Sequence, residues 1–152
     1  MRYITFKRVY QRIWFMLSSL PMSGHGIRPR VLRLAGVQVL DPKNTFIGTD
    51  IDWDTVNPEK IIIESRVRVT ARTIILTHFI DPNSGEYTSG EVRIKEGAFI
   101  GAGSIITKPV TIGKGAIVGA GSIVTKNIPD NEVWAGNPAH FIKKINQNEQ
   151  IK

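Results

Sequence analysis

Residues 94–128 read IKEGAFIGAGSIITKPVTIGKGAIVGAGSIVTKNI, and the fold is decided by counting along them in sixes. Ile94, Ile100, Ile106, Ile112, Val118 and Val124 recur at every sixth position without a slip. Four residues after each comes a second side chain fit for an interior: Ala98, Ser104, Val110, Ala116, Ser122 and Ile128. The residue after each lead is small in five of the six units (Gly101, Thr107, Gly113, Gly119, Thr125), Lys95 being the exception. No helix has a period of six, and a hairpin sheet has a period of two. A six-residue period is the signature of a parallel β-helix.

The count predicts the geometry. Each unit makes one short flat side and a corner, and three consecutive units close one triangular coil. Ile94 should then stack on Ile112, Ile100 on Val118, and Ile106 on Val124, with successive coils about 4.8 Å apart, the ordinary strand spacing. The same count appears upstream at Ile63, Val69 and Ile75, and Val37, Val39 and Phe46-Ile47-Gly48 read as earlier, imperfect strands. Between the two runs lies DPNSGEYTSGE (81–91), a polar stretch rich in turn residues that reads as an inserted loop. Such insertions leave a solenoid at its corners and often build its working face.

The chain has 152 residues, enough for one domain with a core, and no cysteine, which excludes disulfides and thiolate chemistry. Its net charge of +7 is uneven. Residues 1–34 hold seven Lys/Arg and no acid, and the remainder balances. Residues 3–20 can be drawn as an amphipathic helix with Phe6, Val9, Tyr10, Ile13, Leu17 and Leu20 on one face, and with Lys7, Arg8, Gln11, Arg12 and Ser18 on the other. Pro21 and the 24–26 stretch should end it. The apolar run 13–22 is too short to span a bilayer, which needs about 20 residues. A basic face beside Trp14 and Phe15 fits either peripheral contact with an anionic membrane or packing on the solenoid or a neighbouring subunit. The expected organisation is a basic helical segment and linker at 1–34, a solenoid domain at 35–145 closed by a helix or strand over 139–146, and a tail at 146–152.

Three histidines are available for chemistry. His25 lies in a glycine-flanked stretch and His140 in the C-terminal cap. His78, in ILTHFIDP (75–82), stands at a strand end facing the inserted loop, a rigid position for a general base. A carboxylate is needed to fix its tautomer. Asp81 and the alternating Asp50, Asp52 and Asp54 are the candidates, the last three expected on one face of an extended segment.

The stretch IGAGSIITKPVTIGKGAIVGAGSIVTKNIPDNEVWAGNPAHFI (100–142) resembles the hexapeptide-repeat acyltransferases, and DTVNPEKIIIESRVRVTARTIILTHFIDP (54–82) is similar to their polysaccharide-type members. The resemblance runs from about Thr45 to Ile145. It implies an all-β, left-handed parallel β-helix, a hand opposite to ordinary parallel crossovers. It further implies an acetyl-CoA-dependent O-acetyltransferase acting on a sugar hydroxyl in surface-polysaccharide biosynthesis. His78 would be the general base, with Asp50 or Asp54 near the acceptor. The coenzyme would lie between subunits of a homotrimer, along Ala102 and Ala120, with Thr125 and Lys126 near its phosphates. Where many relatives carry AGNPAR, this chain reads AGNPAH (135–140), so His140 stands in place of an arginine, with Lys143 as a substitute cation. No metal and no nucleic acid are expected, and the location is cytoplasmic, at the inner face of the membrane if the N-terminal helix binds lipid. N-acylation of an amino sugar and a catalytically inactive β-helix homologue remain open alternatives. A zinc site would need three converging histidines.

Overall fold

A computed structural model describes residues 6–20 and 24–145. Residues 3–5 and Pro21 of the expected helix, and the 146–152 tail, fall outside the described residues. Two helices, α1 (Phe6–Ser18) and α2 (Ile27–Ala35), precede the strands. The first coil is β1 (Gln38–Val39), β2 (Phe46–Ile47) and β3 (Asp52–Trp53). The second is β4 (Ile61–Ile63), β5 (Arg68–Val69) and β6 (Ile74–Ile75). A hairpin of β7 (His78–Ile80) and β8 (Tyr87–Ser89) follows. The third coil is β9 (Val92–Ile94), β10 (Phe99–Ile100) and β11 (Ile105–Ile106), and the fourth is β12 (Thr111–Ile112), β13 (Ile117–Val118) and β14 (Ile123–Val124). β15 (Glu132–Ala135) and β16 (His140–Lys144) end the described chain.

The coils stack into three sheets. The first face is β1-β4-β9-β12, the second β2-β5-β10-β13-β15-β16, and the third β3-β6-β11-β14. All pairings within them are parallel except β15 with β16. The register matches the count: Ile94 pairs with Ile112, Ile100 with Val118, and Ile106 with Val124. The six leads and the six second-row residues are all buried. Each aliphatic side chain so buried contributes about 1.5–3 kcal/mol, so the ladder drives the coiling. Serine is tolerated inside because its hydroxyl is satisfied locally: Ser104 donates to the Gly101 carbonyl at 2.7 Å and Ser122 to the Gly119 carbonyl at 2.6 Å. Trp134 of β15 lies on Val118, and β16 folds back against β15 as an exposed strand, the strand alternative for the cap.

The two largest departures from the six-count fall at one corner. Three units on from Ile63 is Asp81, yet Ile63 pairs with Ile94, so the second coil carries a long insertion after β6. Three units on from Trp53 is Ala71, yet Trp53 pairs with Ile75, so the first coil carries a shorter insertion, between β3 and β4. Both insertions leave at the corner between the third and first faces. The segment expected as a loop at 81–91 is half of an antiparallel hairpin, with His78 opposite Ser89 and Ile80 opposite Tyr87.

The apolar face of α1 does not pack inward. Gln11 and Ser18 are buried, Phe15 packs on the core, and Phe6, Val9, Ile13 and Leu20 are exposed. Arg28 is buried and fixes the helices to the solenoid in this orientation. Its guanidinium donates to the carbonyls of Ser18 (2.9 Å), Leu20 (3.3 Å) and Ile47 (2.7 Å). Charge-assisted bonds of this kind are roughly twice as strong as neutral ones.

Candidate active site

The two insertions meet at the corner that carries His78. Asp54, just past β3, is buried, and its two carboxylate oxygens are crowded with donors. Oδ1 accepts the N–H of Val56 at 2.8 Å and of Asn57 at 3.4 Å. Oδ2 accepts the Thr77 N–H at 2.8 Å and the Thr77 hydroxyl at 2.6 Å, and lies 2.6 Å from His78 Nδ1. Burial alone would push the Asp54 carboxyl up. The Thr77 hydroxyl and N–H, the Val56 N–H and the His78 ring together outweigh it and hold the group below its ordinary value.

This arrangement fixes the histidine. An ionised carboxylate only accepts hydrogen bonds, so Nδ1 carries the proton and donates. In the neutral ring, Nε2 is then left with a lone pair, the form a general base needs. Tyr87 of β8 lies over the ring, with centroids 5.5 Å apart and planes at 28°. Ser89 ties the insertions together, receiving the Lys60 ammonium at 2.7 Å and the Asn57 amide at 3.2 Å. Asp81 is engaged inside the hairpin turn, where its carboxylate accepts the N–H groups of Asn83 and Ser84.

Asp50 does not join this group. It sits at the corner between the second and third faces, exposed and at φ 54°, in a cleft of about 210 Å³ with Arg28, Phe15 and Trp53. The expectation of Asp50, Asp52 and Asp54 on one extended face is corrected by the same observation. The left-handed residue breaks the alternation, only 52–53 is strand, and Asp54 turns inward while Asp52 stays exposed.

The residues expected to hold a coenzyme fall in three places. Ala102 and Ala120 are exposed and stacked one coil apart on the second-to-third corner, joined by the Gly121 N–H to the Ala102 carbonyl at 2.8 Å. Thr125 and Lys126 lie on the other corner, two coils below Thr77 and His78. There Lys126 Nζ stands 5.0 Å from the Trp134 ring centroid. His140 and Lys143 lie on β16, with Lys143 lining a groove on the second face beside Arg66, Arg68 and Phe99.

Two residues that the reading of the sequence missed also belong here. Thr77 is the main support of Asp54. Lys108, with Nζ 5.5 Å from the Phe79 ring centroid, stands one full coil before Lys126 in a repeated Thr-Lys pair, a spacing legible in the sequence. The histidines do not converge: His25 packs on Phe46 and His140 sits on β16. Among the described residues no group of three His, Cys, Asp or Glu side chains could hold a metal ion.

Residues 91–126 match the six-repeat bacterial transferase hexapeptide family model. No curated protein matches the chain. Among solved structures, a maltose O-acetyltransferase from Clostridium difficile 630 is 29% identical, with a TM-score of 0.64 over 93% of this chain and 87% of that one. The polySia specific acetyltransferase NeuO is also 29% identical, with a TM-score of 0.54 over 66% of this chain and 49% of that one. A galactoside acetyltransferase in complex with coenzyme A shares the fold at 22% identity, with a TM-score of 0.67 over 95% of this chain and 83% of that one. The repeat and these neighbours together imply that the coil is left-handed.

Proposed function

We propose that this chain is a hexapeptide-repeat acyltransferase that transfers acetyl groups from acetyl-CoA to a hydroxyl of a sugar, with His78 as the general base, a reading supported by the repeat at 91–126 and by the 29% identity to two acetyltransferases. The observation that carries the reading is the 2.6 Å contact between His78 Nδ1 and Asp54 Oδ2, on a carboxylate already saturated with donors. In the reaction, His78 Nε2 takes the proton of the acceptor hydroxyl as its oxygen attacks the thioester carbonyl. The carbon–sulfur bond breaks, and the departing thiolate takes the proton back from the imidazolium. Asp54 holds the tautomer and steadies the transient positive charge. Tyr87 offers an aromatic face beside the reacting nitrogen, suited to the apolar side of a sugar ring.

The acceptor we favour is a precursor of a surface polysaccharide, acetylated in the cytoplasm. The 29% identity to acetyltransferases for maltose and polySia supports a carbohydrate acceptor. The arrangement of the site supports the homotrimer that the resemblance implies. In one chain His78 and the Ala102–Ala120 ledge lie at opposite corners of the third face. A coenzyme touching both therefore needs the His78 corner of one subunit against the alanine corner of the next. Small side chains on that ledge leave the backbone open to the amides of a pantetheine arm.

The test is release of free coenzyme thiol from acetyl-CoA across a panel of sugars, with wild type and His78→Gln. Turnover should fall by about 10² to 10⁴ in the variant, with coenzyme binding retained. A fall under threefold in a folded variant would remove His78 from the role.

A further inference from the structure

We propose that the two-helix segment is a docking surface for anionic lipid bilayers, which seats the protein on a membrane through the outward face of α1. The inference stands apart from the acyl-transfer reading, because it rests on no residue of the His78 corner.

The first observation is the inverted packing of α1. Its inward face is Gln11, Phe15 and Ser18. On the opposite arc stand Phe6, Val9, Tyr10, Ile13 and Met16, with Leu20 just past the helix end, all exposed, from 41% for Tyr10 to 87% for Phe6. At 3.6 residues per turn the five helical ones fall within about a third of the helix circumference. Lys7 flanks the arc on one side and Arg12 on the other, both exposed. A continuous apolar stripe bordered by cations is the form of a helix that lies in the plane of a membrane interface. Contiguous apolar surface of this kind marks an interaction site.

The second observation repeats the pattern on the neighbouring helix. On α2, Ile27 and Leu34 are exposed on one face, beside exposed Arg30 and Arg33, while Leu32 and Ala35 face the core. The packing is held from inside by Arg28, which anchors α2 to the end of α1 and to the solenoid. The apolar stripe is therefore presented by a fixed pair of helices.

Charge selects the occupant. Residues 1–40 contain seven Lys/Arg and no acid. A second copy of the chain would bring the same cations. Four solenoid acids, Glu64, Glu91, Glu96 and Asp130, are engaged with Arg93, Arg66, Lys114 and Lys95, and the exposed Asp52, Glu59 and Glu86 lie on three separate elements (β3, the first-coil insertion and the hairpin) and form no acidic patch to match the helix. Anionic headgroups supply the missing charge, and the acyl boundary takes the stripe. No described helix is long and apolar enough to cross a membrane, so the contact is at the surface.

The experiment is flotation of the full chain with vesicles of phosphatidylcholine alone, or of phosphatidylcholine with phosphatidylglycerol as about a third of the lipid, at low and high salt. The expected result is flotation with the anionic vesicles only, lost at about 0.5 M salt, where the Debye length is a few ångströms. Each basic residue at such a surface is worth roughly fivefold in partitioning, so Lys7→Glu with Arg12→Glu should weaken it more than tenfold. Ile13→Asp should abolish it without changing the oligomeric mass in solution.

Failure to float, or equal flotation with neutral vesicles, overturns the proposal. So does a change of oligomeric mass in Ile13→Asp, which would mean that another copy covers the stripe. Coenzyme binding measured on the same samples keeps this outcome separate from the fate of the acyl-transfer reading.

Discussion

Asp54 and His78 come from two different coils and meet because each coil carries extra residues at the same corner, which brings Oδ2 to 2.6 Å from Nδ1. The carboxylate determines which ring nitrogen is basic. Replacing Asp54 with Asn keeps the shape but offers an amide that can donate to Nδ1, which moves the ring proton to Nε2. Asp54→Asn should lower kcat by about 10² to 10⁴ and leave the Kd for coenzyme within threefold. Steady-state kinetics with calorimetry on the same preparation checks this, and an unchanged kcat would remove Asp54 from any part in orienting the base.

The same carboxylate should make stability depend on acidity. Its folded pKa is depressed, with burial opposing the shift and the Thr77, Val56 and His78 hydrogen bonds producing it. The unfolded chain protonates Asp at about 3.9. The stabilising contribution is therefore fully present above that value and is lost as pH falls through the lower folded pKa. Urea unfolding of wild type and Asp54→Asn between pH 6 and pH 3 should show the gap between them narrowing only at the acid end. A gap that narrows instead between pH 6 and 8 contradicts the assignment.

Thr77 should matter almost as much as the residue it supports. Its buried hydroxyl donates to Asp54 Oδ2 at 2.6 Å. Thr77→Val keeps the shape and removes that donor. Loss of a hydrogen bond to a buried charge costs about 1.5–3 kcal/mol, readable as a lower urea midpoint, with the catalytic pH profile moving as the Asp54 pKa rises.

The solenoid and its register were legible because the six-count is a packing constraint: each lead residue must enter the same interior, so the sequence cannot drift. The site was legible only in part. His78 could be singled out as a strand end beside an insertion, but its partner could not. Counting back one uninterrupted coil from His78 reaches Lys60, whereas the insertion in the first coil sets Trp53 beside Ile75, so that Asp54, just past the strand, comes within side-chain reach of Thr77 and His78. Asp50 looked equivalent by alternation, yet its left-handed backbone turns it to another corner. The facing of α1 was hidden for a different reason. Amphipathicity identifies two faces and does not say which one has a partner. Here Arg28 fixes the orientation, through bonds to three carbonyls distant in sequence.

Two neighbouring glycines of one corner should fail differently. A Cβ on Gly101 would meet the Ala120 backbone nitrogen at 2.4 Å and its Cα at 2.7 Å, so Gly101→Ala must push two coils apart. Overpacking against backbone costs about 1–3 kcal/mol or more. Gly103 has open space but sits at φ +69°, so Gly103→Ala incurs only the left-handed penalty of about 1–2 kcal/mol. Gly101→Ala should also disturb Ala102 and Ala120 and weaken coenzyme binding, while Gly103→Ala should leave binding intact. Thermal unfolding with calorimetry separates the two, and equal effects on binding would show that the alanine ledge is not part of the coenzyme site.

Lys126 and Lys108 occupy equivalent positions on adjacent coils, below His78 on one corner, and each ammonium is held over an aromatic ring: Trp134 at 5.0 Å and Phe79 at 5.5 Å. Trp134 is itself fixed, buried and donating its indole N–H to Glu132 at 2.8 Å. A lysine steadied in this way is a point charge with less side-chain entropy to lose on meeting a phosphate. Lys126→Ala should therefore weaken coenzyme A by about tenfold, the scale of one charge-assisted contact. If Lys126 reads the 3′-phosphate, dephospho-coenzyme A should bind wild type and variant equally, whereas a uniform loss would assign it to the diphosphate. His140 gives the complementary test. It is exposed on β16, with Nδ1 3.4 Å from the Pro138 carbonyl, at the position where the resemblance implies an arginine. His140→Arg should tighten coenzyme binding several-fold if β16 borders the phosphates. No change, with Lys126→Ala still weakened, would place the phosphates wholly on the Lys126 corner.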